Sequence, residues 1–251
     1  MAKKYEGLVY LEPIEHVYIH KVTNKVYKSV TTILGLIEPE FKTEEIAEAI
    51  EHQKIEKKRE QYIGMSKDQI MNLWQQINDE ANEYGTHIHE LVETYLLKNK
   101  WYFPESDLDK KVLNEFNKMN FELGRECYPE RVVFSEEYEI AGTIDLLVDV
   151  DDEYFDIGDW KTNKEFNYYS KYKQCLKAPF EHLQDCEYVI YTLQVSVYAL
   201  LYEMESGKKC RHIWIGYWDK KQEKWFKIPV MYMKHEALKL LKHYKLVLLK
   251  G

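Results

Sequence analysis

The sequence predicts a helix-rich α/β domain, a single core preceded by a helical N-terminal elaboration. Three observations lead there. The chain has 251 residues, enough to bury a sizeable core without disulfide staples. It holds ten Gly and six Pro, well under the usual share, so its elements run long and its loops short. The apolar period also changes along the chain, from helical to strand-like after residue 131 and back to helical after 183.

Residues 8–30 alternate apolar and polar positions (Val17, Ile19, Val22, Val26) about Thr23-Asn24 and read as a β-hairpin. Ser29 or Thr31 can cap a short helix reaching Ile37. Residues 42–63 are helical and highly charged. Ser66 opens a further helix, with Gln69 at capping-box spacing and Ile70, Leu73, Trp74 and Ile77 at helical period. The pattern continues over 78–98, with a break expected near Gly85, and a helix over 107–124 follows. Strands are expected over 131–140, 143–150 and 153–160, joined by Ala141-Gly142 and Asp151-Asp152. A helix over 183–205, a strand pair over 210–218 and 224–231, and a helix over 234–249 complete the chain. One domain spanning 1–251 is expected, with 1–77 as hairpin and helical arch and 78–251 as the core.

The net charge of −8 hides a strong polarity. Residues 126–160 hold twelve acids and one Arg, whereas 207–251 hold twelve Lys and Arg against three acids. An acidic centre flanked by basic segments suits a site that gathers divalent cations and then holds a polyanion. The first residues lack the apolar stretch of a secretory signal, and no apolar run approaches the roughly 18 residues of a membrane span. Cys127, Cys175, Cys186 and Cys210 contain no CxxC pair and read as thiols of a reducing compartment, so a cytoplasmic location is expected.

The chemistry concentrates on two neighbouring strands. Asp145 follows Gly142-Thr143-Ile144 near the start of one, and Asp159-Trp160-Lys161 ends the next. Joined by a tight turn, these strands run antiparallel and bring the two carboxylates together. That is costly unless a cation such as Mg²⁺ sits between them. Lys161, two residues after Asp159, shares its strand face and can position a water or stabilise phosphate charge. A surface hairpin with a cross-strand ion pair is the plainer alternative. In Gly85-Thr86-His87-Ile88-His89-Glu90-Leu91-Val92-Glu93, His87 and His89 diverge by about 200° on a helix, whereas His89 and Glu93 share a face. Gly85, four before His89, leaves that face open to close approach. Gln194 and Tyr198 share another helix face and need partners if buried, holding the Asp159–Lys161 strand or touching a phosphate. Phe166, Tyr168, Tyr169 and Tyr172 lie among Lys164, Lys171, Lys173 and Lys177, a mix that can stack bases while neutralising phosphates.

The order Gly85/His89/Glu93, Gly142/Asp145, Asp159/Lys161, Gln194/Tyr198 resembles the PD-(D/E)XK nuclease superfamily, in particular its RecB-like exonuclease branch. The flanking Ser29-Val30-Thr31-Thr32-Ile33-Leu34 and His182-Leu183-Gln184-Asp185-Cys186 are similar to phage and viral members. The resemblance implies a restriction-endonuclease-like αβββαβ core and an Mg²⁺- or Mn²⁺-dependent DNA nuclease. It implies that His89, Asp145, Asp159 and the Trp160 carbonyl hold the metal, that Lys161 orients the attacking water, and that Glu93 is a supporting or second-metal acid. Gln194 and Tyr198 would support the site and the DNA strand. The aromatic and basic run after Lys161 separately makes Lys164, Tyr168, Tyr169 and Lys171 expected DNA contacts. The Pro-Asp form of the first acidic motif is absent, and Gly142-x-x-Asp145 stands in its place. Cys175, Cys186 and Cys210 are too dispersed for the iron–sulfur cluster of some relatives. No GxxxxGK[ST] occurs, so unwinding would fall to a helicase or recombination partner. A metal-dependent exonuclease acting on single-stranded ends is the expectation, in a host-cell cytoplasm if the chain is phage or viral. A non-catalytic DNA-binding protein on a degenerate nuclease fold and a structure-specific endonuclease are the alternatives.

Overall fold

A computed structural model describes residues 7–12, 17–52, 60–98, 101–119 and 126–248. The N-terminal alternation forms three short strands rather than two: β1 (Val9–Glu12), β2 (Val17–His20) and β3 (Val26–Ser29). Asn24, with φ of 55°, makes the second turn. Ser29 then caps α1 (Val30–Gly35) by accepting from the Thr32 N–H. α2 (Thr43–Glu51) is shorter than the charge pattern predicts. Part of the expected 42–63 helix, residues 53–59, lies outside the described residues, and a 3₁₀ turn at Glu60–Tyr62 follows.

The Ser66/Gln69 capping box is present at the start of α3 (Lys67–Leu97). This helix has 31 residues, about 46 Å at the α-helical rise, and does not break at Gly85 as expected. Its second half buries Ile88, Leu91, Val92 and Tyr95 against the sheet, and that packing outweighs the weak helix propensity of one glycine. Residues 72–83 of its first half are mostly exposed, while Ile70 at its start is buried and α2 packs against it. α4 (Asp107–Lys118) is capped by Ser106. The expected extension to 124 falls on residues 120–125, outside the described set.

β4 (Cys127–Ser135), β5 (Ile140–Asp149) and β6 (Tyr154–Lys161) are the three central strands. The first connection is at residues 136–139, where Glu139 takes a φ of 56°, and not at Ala141-Gly142 as expected. Ala141 and Gly142 instead lie within β5, paired to Phe134 and Val133. α5 (Glu187–Ser206) begins four residues later than its pattern suggests, and β7 (Lys209–Asp219), β8 (Lys224–Val230) and α6 (Lys234–Leu248) close the chain. No helix among the described residues is long and apolar enough to cross a membrane.

The strands form one mixed sheet in the order β1-β2-β3-β5-β6-β7-β8, with β4 also paired to β5. β4 runs antiparallel along one edge of β5, from Cys127↔Val148 to Ser135↔Ile140. The other edge is shared. β6 pairs with it from Leu146 to Asp149, while β3 pairs in parallel at Ile140 and Ala141. Between them, residues 142–145 meet no strand among the described residues on that edge.

α1, α5 and α6 cover one face of the sheet with a core that includes Ile144, Leu147, Phe155, Ile157, Val197 and Leu241. α3 and α4 cover the other with Leu146, Trp160, Trp214, Trp218 and Trp225. Trp214 on β7 is the register partner of Gly158 on β6, and a Cβ on that glycine would sit 1.9 Å from the indole Cη2. A side chain there must therefore push a packed tryptophan off the sheet. Gly158→Ala is expected to lower unfolding stability by about 3 kcal/mol in urea titrations. Gly35→Ala, in α1 with no atom within 4 Å of the added carbon, should leave stability level or slightly higher.

Candidate active site

The stretch of β5 left open on its β6 edge is where the chemistry-bearing residues converge. Asp145 is the residue before the β5–β6 ladder begins at Leu146↔Gly158. Its Oδ2 accepts the Trp160 N–H at 2.6 Å, so a side chain fills the place that a strand backbone would take. The N–H and C=O of one strand residue leave on the same edge, so the Trp160 carbonyl also faces this gap. The Trp160 ring turns the other way, against Phe116, Trp214 and Trp225, and fixes the strand.

α3 brings His89 to the gap, with Nδ1 3.5 Å from Asp145 Oδ2. Gly85, one turn earlier, eases the approach: a Cβ there would lie 3.0 Å from Thr162 Oγ1, just past Lys161. His87 points away, its Nε2 2.8 Å from Asp109 Oδ1 on α4. Glu93, one turn beyond His89, is half-buried, and burial followed by Glu90 raises its carboxyl above the usual range.

β4 supplies a residue that the motif order did not suggest. The register passes from Pro129↔Leu146 to Arg131↔Ile144 without an insertion, which puts Glu130 opposite Asp145. Its backbone has a φ of 50°, uncommon for Glu, and interrupts the ladder there. One ligand-capable atom each from His89, Glu130 and Asp145 lies within 4.8 Å of the others. Burial, then Asp145, Glu93 and Asp159, push the Glu130 carboxyl up to about 8. Burial and Asp159 push Asp145 up to about 6, against the lowering effects of His89, Lys161 and the Trp160 N–H.

Asp159 is 3% exposed and turns Oδ2 toward Lys161 Nζ, 2.6 Å away. It lies outside the three-residue cluster yet close enough to raise Asp145. Burial alone would lower the Lys161 ammonium, but Asp159 and Asp145 reverse this and raise it, so it stays charged. Gln194 and Tyr198 are buried, with Gln194 Nε2 donating to Tyr198 Oη at 2.8 Å. Tyr198 packs on Gly142, where a Cβ would meet its ring at 2.4 Å. This contact places the pair beneath β5, the strand that carries Asp145, rather than against the Asp159–Lys161 strand. Lys164 is exposed, as are Tyr168 and Tyr169 at 50% and 75%, while Lys171 is ion-paired with Glu165.

The donor set can hold a divalent cation. It combines one imidazole nitrogen with carboxylate oxygens in a crowded, partly buried cluster, and a cation would relieve the repulsion that raises the acids. The family match agrees with this. Residues 18–246 match the model of the PD-(D/E)XK nuclease superfamily. The chain belongs to that superfamily, whose nucleases use divalent metals, and its mixed sheet with flanking helices is the restriction-endonuclease-like fold. Among solved structures it is similar to a protein described as "Putative exonuclease" from Eubacterium rectale, at 14% identity and TM-score 0.47, covering 90% of this chain and 81% of that one. Another is SSO0001, at 11% identity and TM-score 0.31, covering 62% and 84%. No curated protein sequence matches the chain.

The raised acids predict a pH signature. Glu130 and Asp145 bind protons more tightly folded than unfolded, relative to ordinary values of 4.5 and 3.8. Their contribution to stability is therefore full below the ordinary values and is lost as pH rises through about 6 and about 8. The Tm of metal-free protein should show this fall, and Glu130→Gln should flatten it. Saturating Mn²⁺ should raise the wild-type Tm more at high pH than at low pH. Identical pH–Tm curves for wild type and Glu130→Gln would contradict the crowding.

Proposed function

We propose that the chain is a DNA exonuclease of the RecB-like branch, phage or viral in type, that hydrolyses phosphodiester bonds with bound Mg²⁺ or Mn²⁺. The observation that carries this reading is the meeting of His89, Glu130 and Asp145 with the Asp159–Lys161 pair at the open edge of β5. His89, Glu130 and Asp145 would hold the cation, with the Trp160 carbonyl on the same edge and Glu93 and Asp159 as supporting acids. When bound, such a cation neutralises phosphate charge and makes a water more acidic. Lys161 does what a carboxylate cannot. It is a partly buried donor kept charged by its neighbours, able to hold a water and to meet negative charge building on the phosphate. In the net reaction, water adds to phosphorus, the P–O bond to the next sugar breaks, and the released oxygen takes a proton.

The exposed rings of Tyr168, Tyr169 and Tyr172 beside Lys164 and Lys173 support a single-stranded substrate, because bases must be unstacked before they can pack on side chains. Gln194 and Tyr198 would back the strand that carries the acids. The exposed middle of α3, with α2 packed on the helix, suits an arch through which a free end passes. A helicase or recombination protein would supply any unwinding, and the reaction would take place in the cytoplasm.

End-labelled linear single strands, linear duplex and circular single strands, each with Mn²⁺ or excess EDTA, test the proposal. Linear single strands should be shortened from an end while circles survive, and EDTA should stop all cutting. Cut circles would make the chain an endonuclease, and cleavage in chelator would remove the metal.

The variants divide by role. Asp145→Ala should lose both metal binding and cleavage. Lys161→Ala should keep the metal isotherm and lose about 100- to 1,000-fold in rate. His87→Ala, whose imidazole serves Asp109, should keep both.

A further inference from the structure

Two neighbours of different kinds place the Lys161 ammonium. Asp159 Oδ2 is 2.6 Å from Nζ, and the ring centroid of Tyr191 lies 4.7 Å from the same nitrogen. Tyr191 is on α5, three residues before Gln194, and belongs to none of the motifs that point to the site. Its ring is held by further rings. Phe166 packs on it at 6.0 Å and on Tyr217 at 5.2 Å, and Tyr168 and Tyr188 pack on Phe166 in turn. Tyr217 is the register partner of Lys161 on β7, and its hydroxyl donates to the Asn163 carbonyl at 3.1 Å. The stack is thus anchored at both ends of the short segment that carries and follows Lys161.

A lysine ammonium has three N–H donors and rotates freely about its stem. Beside Asp159 and Asp145 alone, it would settle wherever it neutralises most carboxylate charge. An aromatic face attracts the ammonium through the ring quadrupole and carries no net charge. It can therefore fix Nζ without competing for the acids.

We propose that Tyr191 is a positioning residue for the nuclease reaction. Its ring face holds the Lys161 ammonium beside Asp159, in the orientation from which a remaining N–H reaches the reacting phosphate or water. The assignment rests on the nuclease reading above and adds a residue to it. It predicts that the ring is required and the hydroxyl is not.

The test compares the full-length wild type with Tyr191→Phe and Tyr191→Leu, using a linear single strand and Mn²⁺. Tyr191→Leu should lose roughly tenfold to thirtyfold in kcat, with the KM for DNA and the Mn²⁺ isotherm unchanged. Tyr191→Phe should stay within about threefold of wild type. Independently of activity, the Lys161 ε-methylene protons should show an upfield ring-current shift in wild type and Tyr191→Phe. That shift should vanish in Tyr191→Leu. Equal rates for wild type and Tyr191→Leu, or a Tyr191→Phe variant as slow as Tyr191→Leu, would overturn the assignment. So would loss of Mn²⁺ binding in Tyr191→Leu, which would mark a general structural role. Wild-type cleavage, read in the same experiment, tests the nuclease reading separately. A wild type that cuts alongside an equally active Tyr191→Leu removes only the Tyr191 role.

Discussion

Like charges in a poorly solvated space are the constraint on which this structure turns. Glu130, Asp145 and Asp159 come from three consecutive strands and share one opening, and repulsion with burial drives Glu130 and Asp145 to hold protons well above their ordinary range. Removing such groups from water costs several kcal/mol unless partners compensate. The partners are distinct in kind. Asp145 takes the Trp160 N–H, Asp159 takes the Lys161 ammonium, and Glu130 faces an imidazole and a second carboxylate. A cluster built this way is unfavourable alone and favourable around a cation.

The rest of the fold keeps the opening from closing. A sheet would ordinarily pair β6 along the whole edge of β5, but β3 occupies the far end of that edge and β6 leaves it at Leu146. Trp160, locked among Phe116, Trp214 and Trp225, prevents β6 from shifting register to heal the gap. Gly142 admits Tyr198 beneath the site, and Gly85 lets the long helix settle against Thr162 so that His89 reaches over. Each of these glycines serves a close approach and not a turn, which is why neither ends an element.

Much of this was readable from residue spacing, because the relevant rules are local. Alternation put Asp159 and Lys161 on one face, the helical angle separated His89 from His87, and the Ser66/Gln69 spacing marked the start of α3. What escaped depended on contacts distant in sequence. The parallel pairing of β3 with β5 joins residues more than a hundred positions apart and leaves no local pattern. Gly85 and Ala141-Gly142 read as a break and a turn because their actual role, making room for Thr162 and Tyr198, lies on other elements. Glu130 was hidden for a different reason. It sits in a left-handed backbone conformation that glutamate rarely takes, within a segment crowded with other acids.

The account depends on His89, Glu130 and Asp145 acting as one cation site at the open edge of β5. Anomalous diffraction from crystals grown with Mn²⁺ tests this most directly. A single strong peak bounded by the His89 imidazole and the carboxylates of Glu130 and Asp145 is the predicted result. A peak elsewhere on the chain, or a Glu130 side chain turned away from the ion, would contradict it.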